Sequence, residues 1–210
     1  MQHYNMKNLK YATHFRLIAM FSIFVVIYVH GNTVTLFNGK SLDGWEVYGN
    51  EKWYVEDGIL IGESGPSKKY GYLGTKKNYK DFILTLEFKQ VSDKNNSGVF
   101  VRSSVNGTTV KGWQLEIEPS GKDVGGVYES YGRGWLARPS KDKRKVYKKG
   151  DWNSMKIKSK GSQLTCWVNG TQMIDLVDDK FGAGQGAILL QIHSGSGLKV
   201  MFRDLKIEKI

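Results

Sequence analysis

From residue 32 onward, apolar and polar side chains alternate over short runs broken by Gly, Asn and Asp. No stretch keeps a 3.6-residue apolar stripe over three turns. The pattern predicts strands at 53–55, 59–61, 82–91, 98–102, 113–117, 152–158, 164–168, 172–176, 187–193 and 200–208. Many short strands with polar turns between them imply an all-β sandwich of two packed antiparallel sheets, in a single domain spanning 32–210. Turn chemistry locates two hairpins: Asn169-Gly170 and Asn106-Gly107 tolerate the positive φ angles of a type I′ turn. Asn95, Asn106 and Asn169 also stand in Asn-x-Ser/Thr sequons, yet turn chemistry accounts for these residues without sugar.

Alternation also assigns faces. Phe82, Leu84, Leu86 and Phe88 share the core side of one strand, and Thr85 and Glu87 the other. In the run from Trp113 to Glu118, Leu115 and Ile117 point inward, which leaves Gln114, Glu116 and Glu118 in line on the opposite face. Carboxylates two residues apart on a strand are ~7 Å apart, a spacing open to acid–base chemistry and equally to a plain solvated face. In 187–193, Ile188, Leu190 and Ile192 fill the core while Gln191 and His193 project the other way. His193 is a candidate base or a merely exposed strand residue. Arg102 offers its fork of donors to a carboxylate or a sugar oxygen, or to a surface ion pair. The Gly-rich segment 125–136 sets Tyr128, Tyr131 and Trp135 beside Glu129 and Arg133. Flat apolar faces next to charged groups suit a sugar pocket; the alternative is ordinary loop packing.

The first 31 residues differ in kind. Lys7, Lys10 and Arg16 precede the apolar run 17–29, which is shorter than the ~20 residues a membrane-spanning helix needs. Residues 1–31 read as a signal peptide cleaved near Gly31, with an uncleaved N-terminal anchor as the alternative, so a secreted or periplasmic protein is expected. Losing this leader removes three cations and no acid, which takes the formal charge from +11 to +8. It also removes His3, His14 and His30, and His193 is then the only imidazole. The basic run 138–149 lacks a recognition helix, zinc motif or aromatic RNA-binding signature, so it reads as a solvated loop and no nucleic-acid partner is expected. Cys166, alone, permits no intrachain disulfide and no cysteine-based zinc cage. Packing must therefore supply the stability.

Taken in order, the segments TLFNGKSLDGW, WYVEDGIL, NNSGVFVRSS, KGWQLEIEPS, GGVYESYGRGWL, GDWNSMKIKSKG, WVNGTQMIDL, GAILLQIHSG and VMFRDLKIEKI resemble the 3-keto-disaccharide hydrolase family over residues 33–210. The resemblance implies a concanavalin A-like lectin/glucanase jelly roll with its site on the concave sheet. It also implies activity on 3-keto-glycosides. A separate sugar oxidoreductase makes the C3 ketone, the ketone acidifies the C2 proton, and the glycosidic bond breaks by elimination followed by hydration. No nucleotide cofactor is then required, and the chain carries no G-x-G-x-x-G fingerprint.

The family motifs fall on Arg102, Gln114, Glu116, Tyr128, Glu129, Arg133, Gln191 and His193. Related sequences carry an Asp-Glu pair after the tyrosine, where this chain has Glu129-Ser130. On this resemblance His193 is the expected base for the C2 proton. Arg102, assisted by Gln191, is the expected stabiliser of the enolate oxygen, and Glu116 or Glu129 the acid for the departing oxygen. Gln114, Tyr128, Arg133, Trp135 and Gln191 are the expected substrate contacts. A divalent cation shared by His193 and Glu116 would polarise the ketone instead. Two other readings stand beside this one: a carbohydrate-binding module without catalysis, and a laminarinase-type glycosidase whose first acid is here replaced by Gln114.

Overall fold

The computed structural model describes residues 33–91 and 96–210, so the leader and Asn95 lie outside the described residues. The strands are β1 (Thr33–Thr35), β2 (Trp45–Tyr48), β3 (Lys52–Glu56), β4 (Ile59–Glu63), β5 (Gly71–Thr75), β6 (Phe82–Gln90), β7 (Ser97–Asn106) and β8 (Thr109–Ile117). They continue with β9 (Val127–Ser130), β10 (Gly134–Ala137), β11 (Asn153–Lys160), β12 (Gln163–Val168), β13 (Thr171–Val177), β14 (Ala187–Ile192) and β15 (Lys199–Lys209). Two short helices, α1 (Lys141–Arg144) and α2 (Asp179–Ala183), sit in connections. Among the described residues no helix is long and apolar enough to cross a membrane.

All ten strands read from the alternation are present, with ends shifted by at most a few residues. Five short ones, β1, β2, β5, β9 and β10, carry too little alternation to be recognised from sequence. One sheet runs β13-β12-β11-β6-β15-β4-β3, with β1 also on β15; the other runs β10-β9-β8-β7-β14-β5-β2. Every pairing is antiparallel. The fold is an all-β jelly-roll sandwich. Phe82, Leu84, Leu86 and Phe88 of the first sheet and Leu115, Ile117, Ile188, Leu190 and Ile192 of the second form one continuous buried core. Each such side chain contributes about 1.5–3 kcal/mol on leaving water. Cys166 belongs to this core, where burial pushes its thiol pKa up and keeps it an inert packing residue.

The Asn169-Gly170 hairpin forms as expected, with φ of 48° and 81° at its two central residues. The other differs: Asn106 still pairs with Thr109, so the turn is Gly107-Thr108, and Gly107 alone carries the positive φ, of 59°.

Strand β7 departs from regular pairing at Arg102, whose φ is 47° and where the register to β8 slips between Val101 and Ser104. Two glycines make room for this bulge. A Cβ on Gly112 would lie 1.9 Å from Ser103 Oγ, and one on Gly186 2.3 Å from the Ser103 carbonyl oxygen. The bulge turns the Arg102 side chain into the protein, where it is fully buried. Its Nε donates to the Lys80 carbonyl at 2.8 Å and Nη1 to the carbonyls of Gly161 and Phe181. Nη2 pairs with Asp81 at 2.8 Å, and the guanidinium lies 4.0 Å above the Phe181 ring. Arg102 is therefore a clamp joining three connections. It is neither the surface ion pair nor the substrate anchor expected from sequence.

Replacing this side chain removes four hydrogen bonds and takes from the Gly161 carbonyl its donor, while the Lys80 and Phe181 carbonyls keep those of the Ser159 hydroxyl and the Gly184 amide, which sets the expected loss. Arg102→Ala should lower the unfolding free energy by about 3 kcal/mol, read as a fall in the guanidinium chloride midpoint.

Candidate functional site

On the outer face of the seven-stranded sheet, β8, β9, β14 and β5 present Gln114 and Glu116, Tyr128, Gln191 and Tyr72 to a common cavity of about 500 Å³. His193, one residue past β14, completes its floor, and Tyr70, Tyr131 and Trp135 stand around its rim. The alternation that sends Leu115 and Leu190 into the core sends these polar groups outward.

Gly98 of β7 lies between β8 and β14 on this face, and its missing side chain matters. A Cβ there would come within 2.6 Å of Gln114 Nε2. The amide of Gln114 instead crosses β7 and donates to Gln191 Oε1 at 3.2 Å and to Glu116 Oε2 at 2.9 Å. Gln114 thus joins the acid strand to the histidine strand.

Glu116 is 4% exposed, and its Oε1 is buried with no hydrogen-bond partner among the described residues. Burial, reinforced by the charges of Glu118 and Asp123 and only partly offset by Asn96 and Arg138, pushes its pKa up to about 8. At neutral pH it is a carboxylic acid holding a proton. Glu118, two residues on, spends its oxygens on the Ser120 amide and hydroxyl and the Asp123 amide, capping the turn that follows β8. Glu116 is the only carboxyl lining the main cavity among the described residues.

His193 Nδ1 lies 3.1 Å from the Ser194 carbonyl oxygen and Nε2 3.0 Å from the Tyr70 hydroxyl. Burial raises the Tyr72 pKa to about 12, against a lowering contact from Gln191, so this phenol remains a neutral donor on the cavity floor. Glu116 and His193 stand at a border: both also line a smaller adjoining cavity of about 320 Å³ that reaches Pro119 and Lys122.

Of the nine expected site residues, Glu116, Gln114, Tyr128, Trp135, Gln191 and His193 are brought together here, joined by Tyr131 of the Gly-rich segment. Three are not. Arg102 is the buried clamp described above. Glu129 shares the inner face of β9 with its pairing partner Trp113, away from Gln114 and Tyr128. Although burial opposes its ionisation, Lys180 and Arg133 hold its carboxyl below the usual range, so it is a paired carboxylate and not a proton donor to this cavity. Arg133 is taken up by Glu129 and by Asp178, at 2.7 Å. Sequence reasoning missed Tyr70 and Tyr72, which lie in the short strand β5 and the segment before it; their one signal is the aromatic alternation in Tyr70-Gly71-Tyr72. Asn96 and Thr108 carried none.

A family model described as the 3-keto-alpha-glucoside-1,2-lyase-like domain matches residues 32–208. The chain belongs to this family. A 3-keto-disaccharide hydrolase of Bacteroides thetaiotaomicron is 37% identical over 76 residues, which cover 32% of this chain and 26% of that protein. The match thus spans about a quarter of the length of that curated relative. A candidate glycosyl hydrolase of Parabacteroides distasonis has 25% identity and a TM-score of 0.66, with 85% of this chain and 100% of that one covered. A carbohydrate-binding module of Bacillus subtilis, at 14% identity, shares the fold with a TM-score of 0.64 over 79% of this chain and 96% of its own. Among the described residues, no three His, Cys, Asp or Glu side chains group closely enough to hold a metal ion.

The shifted carboxyl has a measurable consequence. Between pH 4.5 and about 8 the unfolded chain has released the Glu116 proton that the native state still holds. This group's contribution to stability is therefore fully present below pH 4.5 and is lost as pH rises through about 8. Glu116→Gln should abolish that loss, so that from about pH 4 to about pH 9 unfolding free energies shift in the variant's favour by about 4 kcal/mol in chemical denaturation.

Proposed function

We propose that the protein cleaves 3-keto-glycosides by elimination at C1–C2 followed by hydration. The observation that carries this reading is a buried carboxyl that keeps its proton, Glu116, in the same cavity as the imidazole of His193. A C3 ketone makes the C2 proton acidic enough for a histidine-based site, and an acid that keeps its proton at neutral pH is what a departing glycosidic oxygen needs.

In this reading the 3-keto ring lies in the larger cavity, against Tyr128 and Trp135, whose rings meet edge to face at 5.5 Å. The His193 side removes the C2 proton, and the electrons of that C–H bond pass to the C3 oxygen. With Arg102 elsewhere, the neutral donors on the floor, the Tyr72 hydroxyl and the Gln191 amide, support the enolate oxygen. The enolate collapses with departure of the C1 oxygen, which takes the Glu116 proton, and the leaving group occupies the adjoining smaller cavity. Water then adds across C1 and C2. The ketone comes from a separate sugar oxidoreductase, and the leader read in residues 1–31 would deliver the protein outside the cytoplasm.

The decisive assay incubates the purified protein with a panel of 3-keto-glucosides and their unoxidised parents, with and without chelator. Release of the leaving group from the keto compounds alone is expected, and a divalent cation is added to the scheme if chelator stops it. His193→Ala should lower turnover by about 10²–10⁴-fold. Cleavage of the parents would mark a conventional glycosidase instead, and binding without cleavage of either set a carbohydrate-binding module.

A further inference from the structure

The imidazole assigned as base has no free nitrogen facing the cavity. His193 Nδ1 lies 3.1 Å from the carbonyl oxygen of Ser194, which can only accept, and 3.3 Å from the Ser194 hydroxyl, which can accept or donate, so a ring proton on Nδ1 satisfies both contacts of the neutral imidazole. The lone pair is then on Nε2, and the Tyr70 hydroxyl donates to it at 3.0 Å. The phenol of Tyr70 thus occupies this lone pair, and both residues line the cavity.

The arrangement is built rather than incidental. Glu51, 4% exposed, accepts hydrogen bonds from the Gly65 amide, the Ser67 hydroxyl at 2.6 Å and the Lys69 amide at 3.1 Å, fixing the segment that ends in Tyr70. The Gly195 amide donates to the Lys68 carbonyl at 2.9 Å, which ties that segment to the one following His193. The Tyr70 ring meets the imidazole edge to face at 4.6 Å and lies parallel to Tyr72 at 6.4 Å. Even so, Tyr70 remains 37% exposed and lines the cavity.

We infer that Tyr70 is the catalytic group that meets the C2 proton, and that His193 acts through it. The inference rests on the elimination reading above. As the C2–H bond breaks, its proton goes to the phenolic oxygen, the phenolic proton passes to Nε2, and the electron pair moves to the C3 oxygen. Tyr70 ends neutral, His193 ends as imidazolium, and the enolate carries the negative charge. On hydration the relay runs backward. Water's oxygen bonds to C1, its proton goes to the Glu116 carboxylate, and C2 takes a proton from Tyr70 as Nε2 returns one to the phenol.

Tyr70→Phe keeps the ring and its contacts and removes only the hydroxyl. With a 3-keto-glucoside as substrate, release of the leaving group should fall by about 10²-fold or more, while KM changes little. In the unaltered protein, a 3-keto-glucoside deuterated at C2, so that breaking this bond limits the rate, should release its leaving group more slowly in D2O than in H2O, because the phenolic proton moves in the same step; direct transfer to imidazole involves no exchangeable proton. Release of the leaving group by Tyr70→Phe within twofold of the unaltered protein, or no slowing of the deuterated substrate in D2O, would overturn the relay alone. Failure of the unaltered protein to act on any 3-keto-glucoside would overturn the elimination reading and the relay with it.

Discussion

A side chain on a β-strand has two directions open to it, and in the seven-stranded sheet both are used. Strand β14 is buried along its whole length. Ile188, Leu190 and Ile192 enter the sandwich core, whereas Leu189 packs with Tyr72 and Phe100 in a second apolar cluster on the outer face. The polar groups of the cavity are set into this outer cluster. Their positions follow from the core: a one-residue slip of β14 or β8 would exchange Gln191 with Ile192, or Glu116 with Ile117, and would bury polar groups in the sandwich.

The electrostatic character of the cavity depends equally on where cations are kept. Arg102 is enclosed by the carbonyls of three connections and by Asp81, and Arg133 and Lys180 are held on the inner side of β9 by Glu129. None of these cations is among the residues lining the main cavity beside Glu116. Its neighbours there are amides and phenols, of which Asn96 favours its ionisation less than burial and the nearby charges of Glu118 and Asp123 oppose it. The same sheet therefore holds one glutamate as a carboxylate and another as an acid. Partner choice separates them, since both are buried and about equally exposed, at 4%.

Much of this was legible in the amino-acid sequence. Period-2 alternation over runs of five or more residues located the long strands and assigned Leu115, Ile117, Ile188, Leu190 and Ile192 to one side and Gln114, Glu116, Gln191 and His193 to the other. That inference is local, because strand geometry alone determines it. The ordered motifs carried the family, which the match over residues 32–208 bears out. Six of the nine expected site residues line the cavity: Gln114, Glu116, Gln191 and His193 for the same local reason, and Tyr128 and Trp135 on β9 and β10, whose facing the alternation did not give.

Tertiary structure decided the rest. Arg102 ends a strand whose alternation is regular in sequence, but a bulge admitted by Gly112 and Gly186, from β8 and the segment before β14, turns it inward. Glu129 and Arg133 look like pocket residues in a Gly-rich run, yet Lys180 and Asp178, some fifty residues on, claim them. Tyr70 reaches His193 across 123 positions because Glu51 fixes its segment. Composition and periodicity report what each strand does for itself. Which ion pair forms, and which phenol meets which imidazole, depends on segments distant in sequence that only the closed sandwich places within hydrogen-bond reach.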